Sequence, residues 1–157
     1  MKLRKLFFAL VIFFPMMSYS QSISLKGSWR FELDSKDKGM SEQWYSKTLS
    51  GEINLPGSCE EQGYGIKTVK ADMERLTRDV AYEGKAWYQK DFDVPASWNG
   101  KHVERFLERC HWESNVWIDG TFAGSENSLS VPHVYDLGSL APGKHTVTIC
   151  IDNTYRI

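Results

Sequence analysis

Hydrolysis by paired carboxylic acids needs two carboxyl groups held about 5 to 9.5 Å apart across the scissile bond, and the sequence offers one adjacent pair, Glu60 and Glu61. Neighbouring side chains on extended backbone point to opposite faces, so this pair reads as a solvated loop edge rather than an acid with its base. Asp34-Ser35-Lys36-Asp37-Lys38-Gly39 begins like a calcium loop, but two lysines interrupt it, and Tyr45 stands where the closing glutamate belongs. A charged turn is expected there. His102, His111, His133 and His145 have no HxxxH spacing, and Cys59, Cys110 and Cys150 form no CxxC pair, so no metal site is expected. An odd number of thiols leaves one over. Cys110 and Cys150, each set in β-like sequence, read as small buried apolar residues. No serine sits in a GxSxG elbow, and nothing in the sequence implies a cofactor.

Tryptophan is the richer signal. Trp29, Trp44, Trp87, Trp98, Trp112 and Trp117 all lie beyond residue 20. Aromatic faces can stack on the C–H faces of sugars, but tryptophan is also a large core filler. Trp29 and Trp117, flanked by strand-like alternation, are expected in the core. Trp112, between His111 and Glu113, is the candidate sugar-stacking residue.

These residues need elements to position them, and the sequence reads as short strands separated by turn signals. Large apolar groups alternate with charges in Trp29-Arg30-Phe31-Glu32-Leu33, and Val147, Ile149 and Ile151 alternate with Thr146, Thr148 and Cys150. Each pattern buries one strand face and wets the other. Val116-Trp117-Ile118, Asp119-Gly120 and Thr121-Phe122-Ala123 spell a two-residue hairpin. Pro142-Gly143 supplies a turn before His145. Further strands are expected at Ala86 to Val94, Val103 to Arg109 and Val134 to Leu137, with a short helix within Ala71 to Val80. From Gly57 to Lys85 the β pattern fades and charge is high, and a loop that long inside a compact domain is usually functional or disordered. The whole predicts an antiparallel sandwich or jelly roll. In Val103-Glu104-Arg105-Phe106-Leu107 the alternation points Arg105 inward. An unpaired buried guanidinium costs several kcal/mol as an order of magnitude, so either a bulge turns it out, or Phe106 takes the core position, or selection on the position is relaxed.

The first twenty residues carry another message. Met1 to Lys5 are basic, Leu6 to Met17 almost wholly apolar, and Ser18 and Ser20 place small residues where a signal peptidase reads. Residues 1–20 are expected to be a signal peptide cleaved between Ser20 and Gln21, which makes the product periplasmic or secreted. The apolar run falls short of the roughly 20 residues a membrane helix needs, so no membrane anchor is expected after cleavage. Cleavage removes three of the 19 basic residues and none of the 20 acidic ones, changing the net charge from −1 to −4. That balance argues against a nucleic-acid partner. Residues 21–157 suffice for one domain but not for a (β/α)8 barrel of about 250 residues.

The order of motifs carries a resemblance. Gly27-Ser28-Trp29-Arg30-Phe31, Leu55-Pro56-Gly57-Ser58, Ala86-Trp87-Tyr88-Gln89-Lys90 and Val94-Pro95-Ala96-Ser97-Trp98-Asn99-Gly100-Lys101 are followed by Val116-Trp117-Ile118-Asp119-Gly120. Gly124-Ser125, Asp136-Leu137, Pro142-Gly143 and Val147-Thr148-Ile149-Cys150-Ile151-Asp152-Asn153 complete the series. The set resembles the amino-terminal sugar-binding domain of glycoside hydrolase family 2 over nearly all of residues 21–157.

The resemblance implies an all-β, galactose-binding-like jelly-roll sandwich that leads a β-galactosidase, β-glucuronidase or β-mannosidase type of retaining enzyme. In that family an immunoglobulin-like sandwich and a catalytic barrel follow, and the catalytic glutamates lie in the barrel. No asparagine here precedes a glutamate, so the family's Asn-Glu signature is absent and no catalytic residue is implied. The resemblance assigns the domain one wall of the sugar pocket. One contributing loop maps onto Thr77, Arg78, Tyr82 and Glu83, and the other starts after Asn153. Ending at Ile157, the sequence is expected to be a truncated reading frame lacking that second loop and the last strand of the jelly roll. The implied role is a non-catalytic carbohydrate-binding and docking domain whose partners are a β-glycoside and the catalytic barrel of the same parent chain. The alternatives are a stand-alone exported lectin and a structural sandwich with no sugar site.

Overall fold

The computed structural model describes residues 20–69 and 78–154. The leader before Ser20, Thr77 and most of the segment expected to be a short helix lie outside those residues; Val80, at that segment's end, is in a strand.

Ten strands follow one another: β1 (Gly27–Asp34), β2 (Gly51–Leu55), β3 (Ile66–Lys67), β4 (Val80–Ala81), β5 (Lys85–Val94), β6 (Glu104–Leu107), β7 (Glu113–Ile118), β8 (Thr121–Asn127), β9 (His133–Asp136) and β10 (Gly143–Asp152). Six form one antiparallel sheet in the order β2-β1-β5-β10-β7-β8. The other four make two ribbons, β3-β4 and β6-β9. This is the antiparallel all-β architecture expected from the alternation.

Register explains which residues meet. Phe31 lies opposite Tyr88, Tyr88 opposite Ile149, and Ile149 opposite Val116, so a row of large apolar side chains crosses four strands on one face. With Trp29, Ile53, Val147 and Ile118 they form the main core, and Leu107 and Tyr135 from the β6-β9 ribbon pack against it. One residue along each strand the side chains reverse. Trp87 and Cys150, also opposite each other, therefore face the other way. The segment between β1 and β2 folds over that second face. Leu49, Trp44 and Tyr45 cover Trp87, Trp117 and Cys150, with Tyr45 stacked on Trp117 at 5.1 Å and Trp87 on Trp117 at 5.3 Å between centroids. Trp29 and Trp117 are both core residues, as the alternation predicts, but of different cores.

The hairpin at Asp119-Gly120 forms as expected: both residues have positive φ, 51° and 78°, the conformation that matches strand twist and that glycine adopts without strain. The Asp34–Gly39 segment is more than a charged turn. The Asp34 carboxylate is buried and accepts from the Lys38 amide (2.7 Å), the Gly39 amide (2.8 Å) and Trp87 Nε1 (3.2 Å). A Cβ on Gly39 would lie 2.3 Å from Trp87 Nε1, so the approach requires glycine.

Three expectations need correction. The stretch from Gly57 to Lys85 carries the β3-β4 ribbon, whose two-residue strands are too short to generate a period. β6 is shorter than Val103 to Arg109, and Cys110 falls outside any strand and is only half-buried. At Arg105 neither expected escape occurs. Phe106 is 55% exposed, while Arg105 points inward opposite Tyr135 with its guanidinium 5.7 Å from the Trp29 ring. The aromatic face gives the cation a partner that alternation cannot reveal.

Candidate functional site

A cleft of about 2020 Å³ opens over one end of the main sheet. Its floor is apolar, with Trp29, Leu33, Ala86, Tyr88, Ile149 and Ile151 projecting from β1, β5 and β10. One wall is the segment from β6 to Trp112; the other is the irregular stretch that begins at Pro56 and carries the β3-β4 ribbon.

Three of the four residues assigned to the pocket loop are described, and all three line this cleft. Arg78 is exposed and its guanidinium pairs with Glu60 Oε1 at 3.0 Å, while its carbonyl accepts from Thr68 Oγ1. Tyr82 is buried, its hydroxyl donating to the Lys85 carbonyl at 2.7 Å; burial pushes its phenol up to about 12. Glu83 is exposed at the rim. Trp112, half-buried, lines the opposite wall; its amide donates to the Asp152 carbonyl at 3.1 Å and its ring lies 5.0 Å from that of His111. Ser20 and Gln21, the expected cleavage pair, are exposed, and Gln21 Oε1 accepts from Trp98 Nε1 at 2.7 Å.

Asn153 joins the loop to the end of β10. Its Oδ1 accepts from the Gly84 amide at 2.7 Å, its Nδ2 donates to the Tyr82 carbonyl at 2.8 Å, and its own amide donates to the Gly84 carbonyl at 3.3 Å. The end of the Asp-Asn strand and the loop before the Trp-Tyr strand are therefore neighbours held by both side chain and backbone. The sequence marked both regions but carried no sign that they touch.

The chemistry within reach is recognition. Glu60, the more enclosed of the adjacent carboxylates, is engaged by Arg78. Burial and a hydrogen bond to Glu60 raise the Cys59 thiol to about 11, far from a thiolate at neutral pH. Ser114 Oγ lies 2.5 Å from His133 Nδ1, a pairing that sequence gave no reason to expect. Both residues are sealed from solvent, the far ring nitrogen meets the Ser128 carbonyl rather than a carboxylate, and Tyr135 donates to the Ser114 carbonyl. This cluster locks β9 onto β7. Among the described residues no group of three or more His, Cys, Asp or Glu side chains converges as metal ligands. On the opposite face, a smaller polar depression holds Arg30, Asp91, Lys144 and Thr146. Asp91 accepts from Arg30 Nη2 at 2.6 Å, and this bond chiefly holds its carboxyl well below the usual carboxylate range, with Lys144 and Thr146 adding to it.

With that geometry in place, comparison with known proteins is decisive for the family. The sugar binding domain of glycosyl hydrolases family 2 matches residues 23–155. A beta-glucuronidase of Paenibacillus borealis is 30% identical over 147 residues, covering 89% of this chain and 22% of that protein. The β-glucuronidase of Ruminococcus gnavus in complex with D-glucaro 1,5-lactone superposes with a TM-score of 0.70 at 21% identity, over 86% of this chain and 22% of that one. A second structure of the Ruminococcus gnavus enzyme gives 0.68 at 23% identity, over 83% and 21%. These likenesses identify the jelly-roll fold, and this chain spans about a fifth of the length of such relatives. The chain belongs to glycosyl hydrolases family 2 and comprises that family's sugar binding domain.

Proposed function

We propose that this domain is a non-catalytic carbohydrate-binding and docking module of an exported glycoside hydrolase acting on β-glucuronides. It forms one wall of a sugar pocket whose bond-breaking residues lie in a barrel of the same parent enzyme. The observation that carries this reading is the 30% identity to a beta-glucuronidase across 89% of the chain. The Asn153 clasp supports it: the loop that the family resemblance assigns to the pocket is held at one rim of the cleft against the strand end after which the second pocket segment is expected to start. In this reading Thr77, Arg78, Tyr82 and Glu83 shape the sugar-facing loop, and Trp112 offers a stacking face. Export follows from the leader, with cleavage between Ser20 and Gln21.

The test is a chimera in which residues 23–155 replace the matching domain of the Paenibacillus borealis relative, assayed with 4-nitrophenyl β-glucuronide. A docking module gives a soluble chimera whose kcat/KM lies within about tenfold of the parent, a difference near 1.4 kcal/mol. Trp112→Ala in that chimera raises KM. Two results overturn the proposal: hydrolysis by the 157-residue chain alone, or sub-millimolar binding of methyl β-glucuronide by that chain, which is lectin behaviour.

A further inference from the structure

The polar depression on the outer face of the sheet is a built concavity. It measures about 380 Å³, within the roughly 300 to 1,000 Å³ of small-molecule sites. Gln89, 4% exposed, holds it together. Its Oε1 accepts from Arg30 Nε at 2.8 Å and from the Leu49 amide at 3.4 Å. Its Nε2 donates to the Lys47 carbonyl at 2.8 Å and to Thr148 Oγ1 at 3.0 Å. One buried amide thus fixes both the Arg30 guanidinium and the main chain of the segment that covers Trp117. The walls are in place before a ligand arrives, which lowers the ordering cost of binding.

The hydrogen-bonding capacity left over is that of donors. Asp91 Oδ1 accepts from Arg30 Nη2 and Thr146 Oγ1, and Oδ2 from Arg30 Nη1 and Lys144 Nζ. Those bonds fill the roughly four acceptor positions of a carboxylate. Asp119 gives one oxygen to the Thr146 amide and the other to the His145 ring. Lys144, largely exposed, keeps N–H groups beyond the one on Asp91. The ammonium of Lys47, also exposed, has no hydrogen-bond or ion-pair partner among the described residues. The lining sets three cations, Arg30, Lys47 and Lys144, against the carboxylates of Asp91 and Asp119. Surplus donors, occupied acceptors and a cationic excess together select an oxyanion. The space is more than tenfold the ~30 Å³ of a water molecule, roomier than an inorganic ion needs. Tyr45, stacked on Trp117 at 5.1 Å, lines it as well, with Ser46 and Thr48. An aromatic ring beside hydroxyls suits the body of a sugar.

We infer that this depression is a second carbohydrate site, which takes a sugar bearing a carboxylate. Lys47 and Lys144 hold the carboxylate, and Tyr45, Ser46 and Thr48 meet the ring. Binding there is weak, because both lysines are exposed and solvent screens their charge. The site shares no lining residue with the cleft, so it stands or falls apart from the pocket-wall reading.

The experiment titrates the 157-residue chain with D-glucuronate, D-glucose and sodium sulfate at one ionic strength and follows backbone amide resonances by NMR. D-glucuronate is expected to shift the Lys47, Thr48, Gly120 and Thr146 amides saturably, with a Kd of about 1 to 10 mM. That range is weaker than the sub-millimolar affinity that would make the chain a lectin. D-glucose, which lacks the carboxylate, and sulfate, which lacks the ring, each bind at least about fivefold more weakly. Lys47→Gln and Lys144→Gln each weaken D-glucuronate at least about threefold, while Trp112→Ala leaves the outer-face shifts unchanged. Absence of saturable shifts at the outer-face amides overturns the inference. So does equal binding of D-glucose, which leaves the carboxylate no part in recognition, or equal or tighter binding of sulfate, which leaves an inorganic anion site only. D-glucuronate shifts confined to the Tyr82, Gly84 and Arg105 amides give the sugar to the cleft and overturn it too.

Discussion

Gly84 and Asn153 lie 69 positions apart in the chain, yet each donates its backbone amide to the other residue, Gly84 to the Asn153 side chain at 2.7 Å and Asn153 to the Gly84 carbonyl at 3.3 Å. Together with the bond from Asn153 Nδ2 to the Tyr82 carbonyl, this closes the start of β5 against the end of β10. The two central strands of the sheet are thereby locked at the cleft end.

Replacing Asn153 by alanine removes two of those three bonds. At about 0.5 to 1.5 kcal/mol each, Asn153→Ala is expected to lower unfolding free energy by about 1 to 3 kcal/mol in urea titrations. Faster amide exchange should appear first at Gly84. An unchanged exchange rate there would contradict the clasp.

The Asp34 carboxylate serves three donors, and one of them, Trp87 Nε1, is deep in the outer aromatic layer. Asp34→Ala strands buried N–H groups that cannot reach water, at about 1 to 3 kcal/mol each. The expected result is a loss of several kcal/mol, among the largest for any single substitution in the domain. Gly39→Ala attacks the same junction from the other side, by steric overlap with Trp87, and should cost about 1 to 3 kcal/mol. Thermal unfolding of both variants checks the ranking.

Asp91 gives an acid-side dependence. Its carboxyl is held below its unfolded value chiefly by Arg30. The pair therefore contributes its full stability above about pH 4, the unfolded carboxylate range, and loses it as pH falls toward the depressed folded value. Asp91→Asn should lower the urea midpoint relative to the parent at pH 5 to 7, and the gap should narrow at pH 3. A gap that widens at pH 3 would reverse the sign of the linkage.

His145 gives the opposite dependence. One ring nitrogen lies 2.7 Å from the Ala141 carbonyl and the other 2.6 Å from Asp119 Oδ2, so only the protonated ring donates to both. The carbonyl first, and Asp119 next, raise its pKa above the ordinary histidine value. That stability is complete below about pH 6.5, the unfolded value, and fades as pH rises through the higher folded value. Proton NMR of the His145 ring should place its midpoint above 6.5, and His145→Gln should cost stability at pH 6 but little at pH 9.

Sequence reading located the strands where alternation was strong and long. β1, β5, β10 and the β7-β8 hairpin stand where Trp29, Trp87, Val147 and Asp119-Gly120 placed them. It missed β2, whose buried side chain is Ile53 alone, and β3 and β4, too short for any period. Arg105 was legible as inward-facing because period two is a local property of backbone. Its partner Trp29 was not, because alternation says which way a side chain points and nothing about what it meets. The same limit hid the second core. Trp117 reads as buried, but the cover supplied by Trp44, Tyr45 and Leu49 comes from a segment with no strand pattern of its own. At the candidate site the loop residues came from family resemblance, whereas the bonds that fix the loop, through Asn153 and Glu60, depend on tertiary proximity.

The outer aromatic layer also makes the domain optically self-reporting. Trp87 and Trp117 are stacked with centroids 5.3 Å apart and ring planes 28° apart, close enough for their transitions to couple into a circular dichroism couplet. Trp29 and Trp112 sit on the cleft side of the sheet and are separate reporters of events there. Loss of the couplet therefore registers separation of Trp87 from Trp117 in the outer layer, while Trp29 and Trp112 belong to the cleft side. The two faces of a single sheet thus carry different tryptophans, and the stacked Trp87–Trp117 pair belongs to the outer one.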